Sequence, residues 1–187
     1  VTVTDAYANT ASDVFSIVVP PANLTGTPGD DTLTGTAGAD RMQGLAGDDV
    51  LRAGAGDDSL EGGAGWDSLY GEDGNDTLYS SSVSTQMDGG QGVDRYIIGS
   101  AGWHNINSYD GQGQDIVEFD ASIRPQDIVV RGNVMLVTSG SVLSYRSKVT
   151  IGNLFSSAIG SVRFASAPDT VWTVADLRQM ALTGGRE

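Results

Sequence analysis

The residues of this chain best suited to chemistry are aspartates at fixed intervals. Asp31, Asp40, Asp49, Asp58, Asp67 and Asp76 recur every nine places, and Asp94 rejoins the series after one missed place. Each stands two residues after a glycine of the same period, at Gly29, Gly38, Gly47, Gly56, Gly65, Gly74 and Gly92. Each also stands two residues before an apolar side chain: Leu33, Met42, Leu51, Leu60, Leu69, Leu78 and Tyr96. In the missed row Thr85 takes the aspartate place and Val83 the glycine place, while Met87 keeps the apolar one. Glycine admits backbone conformations that let successive carbonyls turn toward one point, and the aspartate adds anionic oxygen. Such an all-oxygen set suits a hard cation with six to eight ligands at about 2.3–2.6 Å and tolerant geometry, which is calcium.

To bring these groups together, each row must curl over its first six residues and run as a short strand over its last three. The eighth residue then turns inward and its neighbours outward. Two rows make one coil, so equivalent positions recur every eighteen residues. Leu33, Leu51, Leu69 and Met87 stack on one wall, and Met42, Leu60, Leu78 and Tyr96 on the other. A solvated acidic linker would not hold three residue types in register over so many rows. The expected fold is all-β: a right-handed parallel β-roll with a β-rich C-terminal cap and one short helix.

Charge makes the metal part of the fold. Between Gly26 and Ile97 there are 14 acidic and 3 basic residues. Neighbouring coils lie about 4.8 Å apart, where two carboxylates repel by roughly 1 kcal/mol in water and several times more at an effective dielectric near 20. A core one side chain thick does not offset that together with the ordering entropy of many glycines. Calcium ions, about four to seven of them by row count, would.

The whole chain of 187 residues carries a net charge of -14, which argues against nucleic acid or an anionic membrane surface as partner. It has no cysteine, hence no disulfide framework, and no apolar run approaches the roughly 20 residues of a membrane span. It begins with neither a methionine nor a secretory segment, so a piece of something larger is expected. No Ser-His-Asp arrangement, His-Glu-x-x-His motif or cysteine nucleophile is present, and carboxylates engaged by calcium are poor acid-base catalysts, so no enzymatic activity is expected.

Along the chain, residues 1–19 alternate like two strands about a turn at Ala8 and Asn9, and Pro20 and Pro21 break them from the rows that start at Gly26. Beyond Ile97 the period slips at Ile98. Gly99–Asn107 keeps Gly102 and Ile106 but has His104 in the aspartate place, and the next row restores Gly113, Asp115 and Val117. Asp115 is therefore a further candidate ligand. His104 reads as a loop histidine without catalytic duty, since imidazole suits transition metals better than calcium. From Phe119 the composition becomes that of an ordinary globular segment, with strand-like runs at Asp127–Val130, Val134–Thr138, Val142–Tyr145, Val149–Ile151 and Ser161–Phe164. Thr173 and Asp176 form a capping box and Gly184 a stop, predicting a helix over Val174–Leu182. Trp103 and Trp172 read as core aromatics.

The rows resemble the repeats-in-toxin (RTX) haemolysin-type calcium-binding β-roll of secreted toxins, proteases, lipases, epimerases and adhesins. Residues 119–187 resemble the haemolysin-type calcium-binding related region that comes after such repeats, and residues 1–19 the closing hairpin of a cadherin-like or immunoglobulin-like repeat. The resemblance implies three parts: an upstream remnant with linker at 1–21, the roll at 22–118 and a cap at 119–187. It pairs Asp31 with Asp49, Asp40 with Asp58, Asp49 with Asp67, Asp58 with Asp76 and Asp76 with Asp94 as calcium ligands, with loop carbonyls between. It also implies a monomeric module of a secreted or bacterial cell-surface protein, exported unfolded by a type I secretion apparatus and folded by external calcium. The alternative is a calcium-dependent carbohydrate- or peptide-binding adhesin module, with outward Tyr70 and Tyr79 and nearby Arg52 holding a glycan or peptide.

Overall fold

The computed structural model describes all residues except 1, 5–9, 13–19, 81–83, 100–101, 109–113, 132–133, 139–144, 152–158 and 184–187. A first pair of strands, β1 (Thr2–Thr4) and β2 (Thr10–Ser12), forms its own antiparallel sheet with Val3 opposite Ala11. The turn expected at Ala8 and Asn9 lies outside the described residues.

The nine-residue rows then deliver strands alternately to two sheets. In order these are β3 (Asn23–Thr25), β4 (Thr32–Thr34), β5 (Arg41–Ala46), β6 (Val50–Ala55), β7 (Ser59–Ala64), β8 (Trp66–Asp73), β9 (Thr77–Ser80), β10 (Ser84–Gln91), β11 (Arg95–Ile98), β12 (Trp103–Asn107) and β13 (Asp115–Phe119). The C-terminal part adds β14 (Ile128–Arg131), β15 (Val134–Thr138), β16 (Tyr145–Ile151), β17 (Ile159–Phe164), β18 (Val171–Thr173) and the helix α1 (Val174–Thr183). One sheet runs β14-β15-β16-β12-β10-β8-β6-β4 and the other β18-β17-β13-β11-β9-β7-β5-β3. Every pairing from β3 to β13 is parallel, so the chain is a mostly-strand parallel β-roll with one short helix.

The core is the stack of eighth-place residues. Leu33 pairs with Leu51, Leu51 with Leu69 and Leu69 with Met87 in one sheet. Met42 pairs with Leu60, Leu60 with Leu78 and Leu78 with Tyr96 in the other. All but Leu33 are fully buried. With one large apolar side chain per strand in most coils, joined by Ala53 on β6 and Ile98 on β11, each coil gains only about 1.5–3 kcal/mol per wall from burial of that side chain. Strands such as β5 and β8 are longer than the three residues expected, because the first places of the following row also pair with the next coil.

Beyond β13 the parallel winding ends in antiparallel strands. β16 and β17 still pair in parallel with β12 and β13, whereas β15 and β14 on one sheet and β18 on the other reverse direction. The expected runs at 134–138, 149–151 and 161–164 lie in β15, β16 and β17, and the run at 142–145 falls outside the described residues except for Tyr145. β18 is too short to signal itself in the sequence. α1 starts as its capping box requires: Asp176 accepts from the Thr173 N–H at 2.8 Å, and the Asp176 N–H donates to Thr173 Oγ1 at 3.3 Å. The stop at Gly184 lies outside the described residues. Trp172 packs edge-to-face on Phe164, with ring centroids 4.6 Å apart, as a core aromatic. Trp103 does not: it is 70% exposed, because its place in the row points away from the eighth-place core.

Candidate metal centre

Each sixth-place aspartate is set by the turn before a strand and pairs across the coils. Oδ1 of Asp49 accepts the Asp31 N–H at 2.9 Å, Asp58 accepts from Asp40 at 2.6 Å, and Asp67 accepts from Asp49 at 3.2 Å. Asp76 accepts from Asp58 at 2.8 Å and Asp94 from Asp76 at 2.9 Å. Asp115 continues the ladder by accepting from Asp94 at 2.9 Å, although it lies three residues late in the sequence, one for Ile98 and two for Ser108 and Tyr109 between the rows. The predicted aspartates thus form two columns: Asp31, Asp49 and Asp67 on one edge, and Asp40, Asp58, Asp76, Asp94 and Asp115 on the other.

The second oxygen divides them. Asp31 Oδ2 accepts from the N–H of Thr27 at 2.6 Å and its hydroxyl at 3.0 Å; Asp40 Oδ2 accepts likewise from Thr36 at 2.5 and 3.1 Å. Asp115 Oδ2 accepts from the Ser108 hydroxyl. The Oδ2 atoms of Asp49, Asp58, Asp67 and Asp76 are buried and accept no hydrogen bond. A carboxylate oxygen in that state costs several kcal/mol unless it is protonated or meets a cation.

These oxygens face other oxygens. A Cβ placed on Gly26 would lie 2.6 Å from both Asp31 Oδ2 and the Gly44 carbonyl. The same convergence surrounds Gly44, between Asp49 Oδ2 and the Gly62 carbonyl, and Gly71, between Asp76 Oδ2 and the Gly89 carbonyl. Each of these first-place glycines therefore leaves a cradle in which a carboxylate oxygen and a carbonyl from the next coil meet. Among the described residues no three His, Cys, Asp or Glu side chains converge, so an ion here depends on carbonyls as much as on carboxylates. The donor set is hard oxygen throughout and fits calcium. The ion would supply positive charge where buried acceptors face one another.

Electrostatics agrees with the division. Burial pushes the Asp67 carboxyl up to about 6 and the Asp76 carboxyl up to about 7, with repulsion from Asp49 and Asp48 in the first case and from Asp94, Asp58 and Asp57 in the second. Asp49 and Asp58 are raised for the same reasons. At Asp40 burial also pushes upward, but hydrogen bonds from Ala22 and Thr36 outweigh it and lower the group.

The fourth-place glycines let successive turns approach closely. Gly47 has φ +116°, and a Cβ there would lie 2.5 Å from the Gly29 carbonyl carbon, so successive turns stack backbone on backbone. From the third row on the second place also takes a left-handed backbone: Leu45 has φ +82° and Glu72 +77°. The fifth place, absent from the expected ligand set, carries another ladder. Asp30 accepts from the Asp48 N–H, Asp48 from Trp66 and Asp57 from Asn75, each at 2.8 Å. The paired acids in GDD rows are its signal in the sequence.

In the missed row Thr85 lies between Asp67 and His104 in register. His104 is a buried strand residue rather than a loop histidine, and its Nδ1 is 2.7 Å from Ser80 Oγ, itself 3.1 Å from Thr85 Oγ1. A cluster of two hydroxyls and an imidazole thus replaces the carboxylates where that column ends. Tyr70 and Tyr79 do not share a face, because β8 and β9 belong to different sheets. Arg52 does stack on Tyr70, 4.2 Å from the ring centroid, and lies 3.7 Å from Glu72. No described helix is long and apolar enough to cross a membrane.

Residues 25–60 and 43–78 each match the family model of the RTX calcium-binding nonapeptide repeat, which spans four copies. No curated protein matches the chain. Among solved structures, the solution structure of the AlgE6R3 subunit from the Azotobacter vinelandii mannuronan C5-epimerase is similar over 67% of this chain and 72% of its own, at 20% identity and a TM-score of 0.35. The stretch from residue 25 to residue 78 consists of RTX calcium-binding nonapeptide repeats, wound here as a parallel β-roll.

Proposed function

We propose that this chain is a calcium-driven folding module of a larger secreted or cell-surface protein, an adhesin, toxin or exoenzyme, without catalysis of its own. Its ions are held by Asp31, Asp40, Asp49, Asp58, Asp67, Asp76, Asp94 and Asp115 with turn carbonyls between them. Residues 1–21 are the terminal hairpin of an upstream immunoglobulin- or cadherin-like domain with its linker, 22–118 the roll and 119–187 the cap. The observation that carries this reading is the set of buried Oδ2 atoms at Asp49, Asp58, Asp67 and Asp76, which the protein itself leaves uncompensated.

Low calcium inside a cell leaves such carboxylates repelling one another, so the chain stays unfolded and fit for type I export. Outside, calcium at the roughly 0.1–1 mM dissociation constants of extracellular modules drives folding. Circular dichroism of the purified chain tests this. Chelator should give a largely disordered spectrum and millimolar calcium a β-rich one, with magnesium a poor substitute. A β-rich, cooperative fold that survives exhaustive chelation would overturn the proposal.

A further inference from the structure

Strand alternation turns the fifth, seventh and ninth places of the row outward on three adjacent strands. On β8 these are Trp66, Ser68 and Tyr70, on β10 Ser84, Gln86 and Asp88, and on β12 Trp103, Asn105 and Asn107. The three strands are consecutive in the sheet, and Ser84 is in register with both Trp66 and Trp103. The two indoles therefore stand in one column, two strand spacings apart, about 9.6 Å. They are 71% and 70% exposed, on a chain whose remaining tryptophan packs in the core. Two such side chains at the surface in one column are a costly arrangement unless something covers them.

We infer that this face is a platform for a neutral β-1,4-linked oligosaccharide, lying across β8, β10 and β12 with Trp66 and Trp103 stacked on alternate sugar rings. The chemistry of the face selects the occupant. Indole faces match the C–H faces of pyranose rings. Gln86 and Asn105 lie beside them as amide groups for sugar hydroxyls, and Asp88 and the Ser84 hydroxyl, which already donates to the Trp103 carbonyl at 2.8 Å, add acceptors. That carboxylate, on the middle strand of the face, disfavours an anionic glycan there. An extended peptide gains its affinity by adding to a sheet edge, and β8, β10 and β12 are all paired on both sides. Stacking positions two strand spacings apart in one column call for an extended chain whose alternate rings recur at about that interval, which equatorial β-1,4 linkages give and the coiled α-1,4 linkage does not. The inference rests on the folded roll and is independent of how the parent protein is exported.

The test is a tryptophan-fluorescence titration of the full chain in saturating calcium with cellohexaose, mannohexaose and xylohexaose, beside maltohexaose and hexagalacturonate. A saturable shift is expected with at least one of the first three and not with the last two. Trp66→Ala and Trp103→Ala should each weaken binding tenfold or more, while Tyr79→Phe on the opposite sheet leaves it unchanged. Circular dichroism in calcium confirms that each variant is folded, which separates loss of the ligand from loss of the roll. Absence of a shift with all three neutral β-1,4 hexamers, unchanged affinity in both tryptophan variants, or preference for hexagalacturonate would each overturn the inference.

Discussion

Asp76→Asn should change the stability of this protein in opposite directions with and without calcium. Asp76 lies between Asp58 and Asp94, with its Oδ1 on the Asp58 N–H and its own N–H on Asp94. Asparagine keeps the shape and the Oδ1 acceptor but removes the charge. At about 4.8 Å from each neighbour, the lost repulsion is roughly 1 kcal/mol per pair in water and about 3.5 kcal/mol at an effective dielectric near 20. Part of it is already relieved near neutral pH, because burial raises this carboxyl to about 7. At about pH 8 in chelator the substitution should therefore stabilise by about 2 kcal/mol, read as less trimethylamine N-oxide needed to drive folding. In calcium it removes an anionic ligand shared by the two sites it is proposed to join. A tenfold loss at each costs about 1.4 kcal/mol, so about 3 kcal/mol in all, or roughly 6–12 °C in the melting midpoint of a chain this size. Asp31→Asn is the internal control: Thr27 already occupies its Oδ2, so its effects should be smaller in both conditions. A shift of the same sign with and without calcium, or equal effects at Asp31 and Asp76, would refute the ladder argument.

The pH dependence should also invert. Asp67 and Asp76 hold their protons more tightly folded than unfolded, with folded values of about 6 and about 7. Their protonated forms thus stabilise the metal-free fold at low pH, and that contribution is lost as pH rises through 6 to 7. In chelator, acidification from about pH 8 to about pH 5 should increase the β signal, whereas in calcium the same change should raise the calcium midpoint, because protons and ions compete for the same oxygens. Leu45→Gly should raise the melting midpoint in calcium. Leu45 is 44% exposed at φ +82°, so the gain is about 1 kcal/mol of relieved strain, which Leu45→Ala would not provide.

The sequence by itself determined the parallel roll, its two apolar walls and the two aspartate columns. In a solenoid, residue i contacts residue i+18, so the period of the chain is already its contact map. Met42, Leu60, Leu78 and Tyr96 could be stacked on paper because nothing but the coil repeat decides that they meet. The same rule, that alternate rows serve opposite walls, separates Tyr70 from Tyr79. Only the tertiary structure decided which carboxylates the protein satisfies itself. Thr27 and Thr36 turn hydroxyls onto Asp31 and Asp40 where the second place is not glycine. Ser108 reaches Asp115, and Ser80 joins His104 to Thr85, across offsets that depart from eighteen. Those contacts follow the slip in period and the way the chain closes its last coils. A repeat specifies what happens within its own register, and it carries no information about the neighbours that meet where the register breaks.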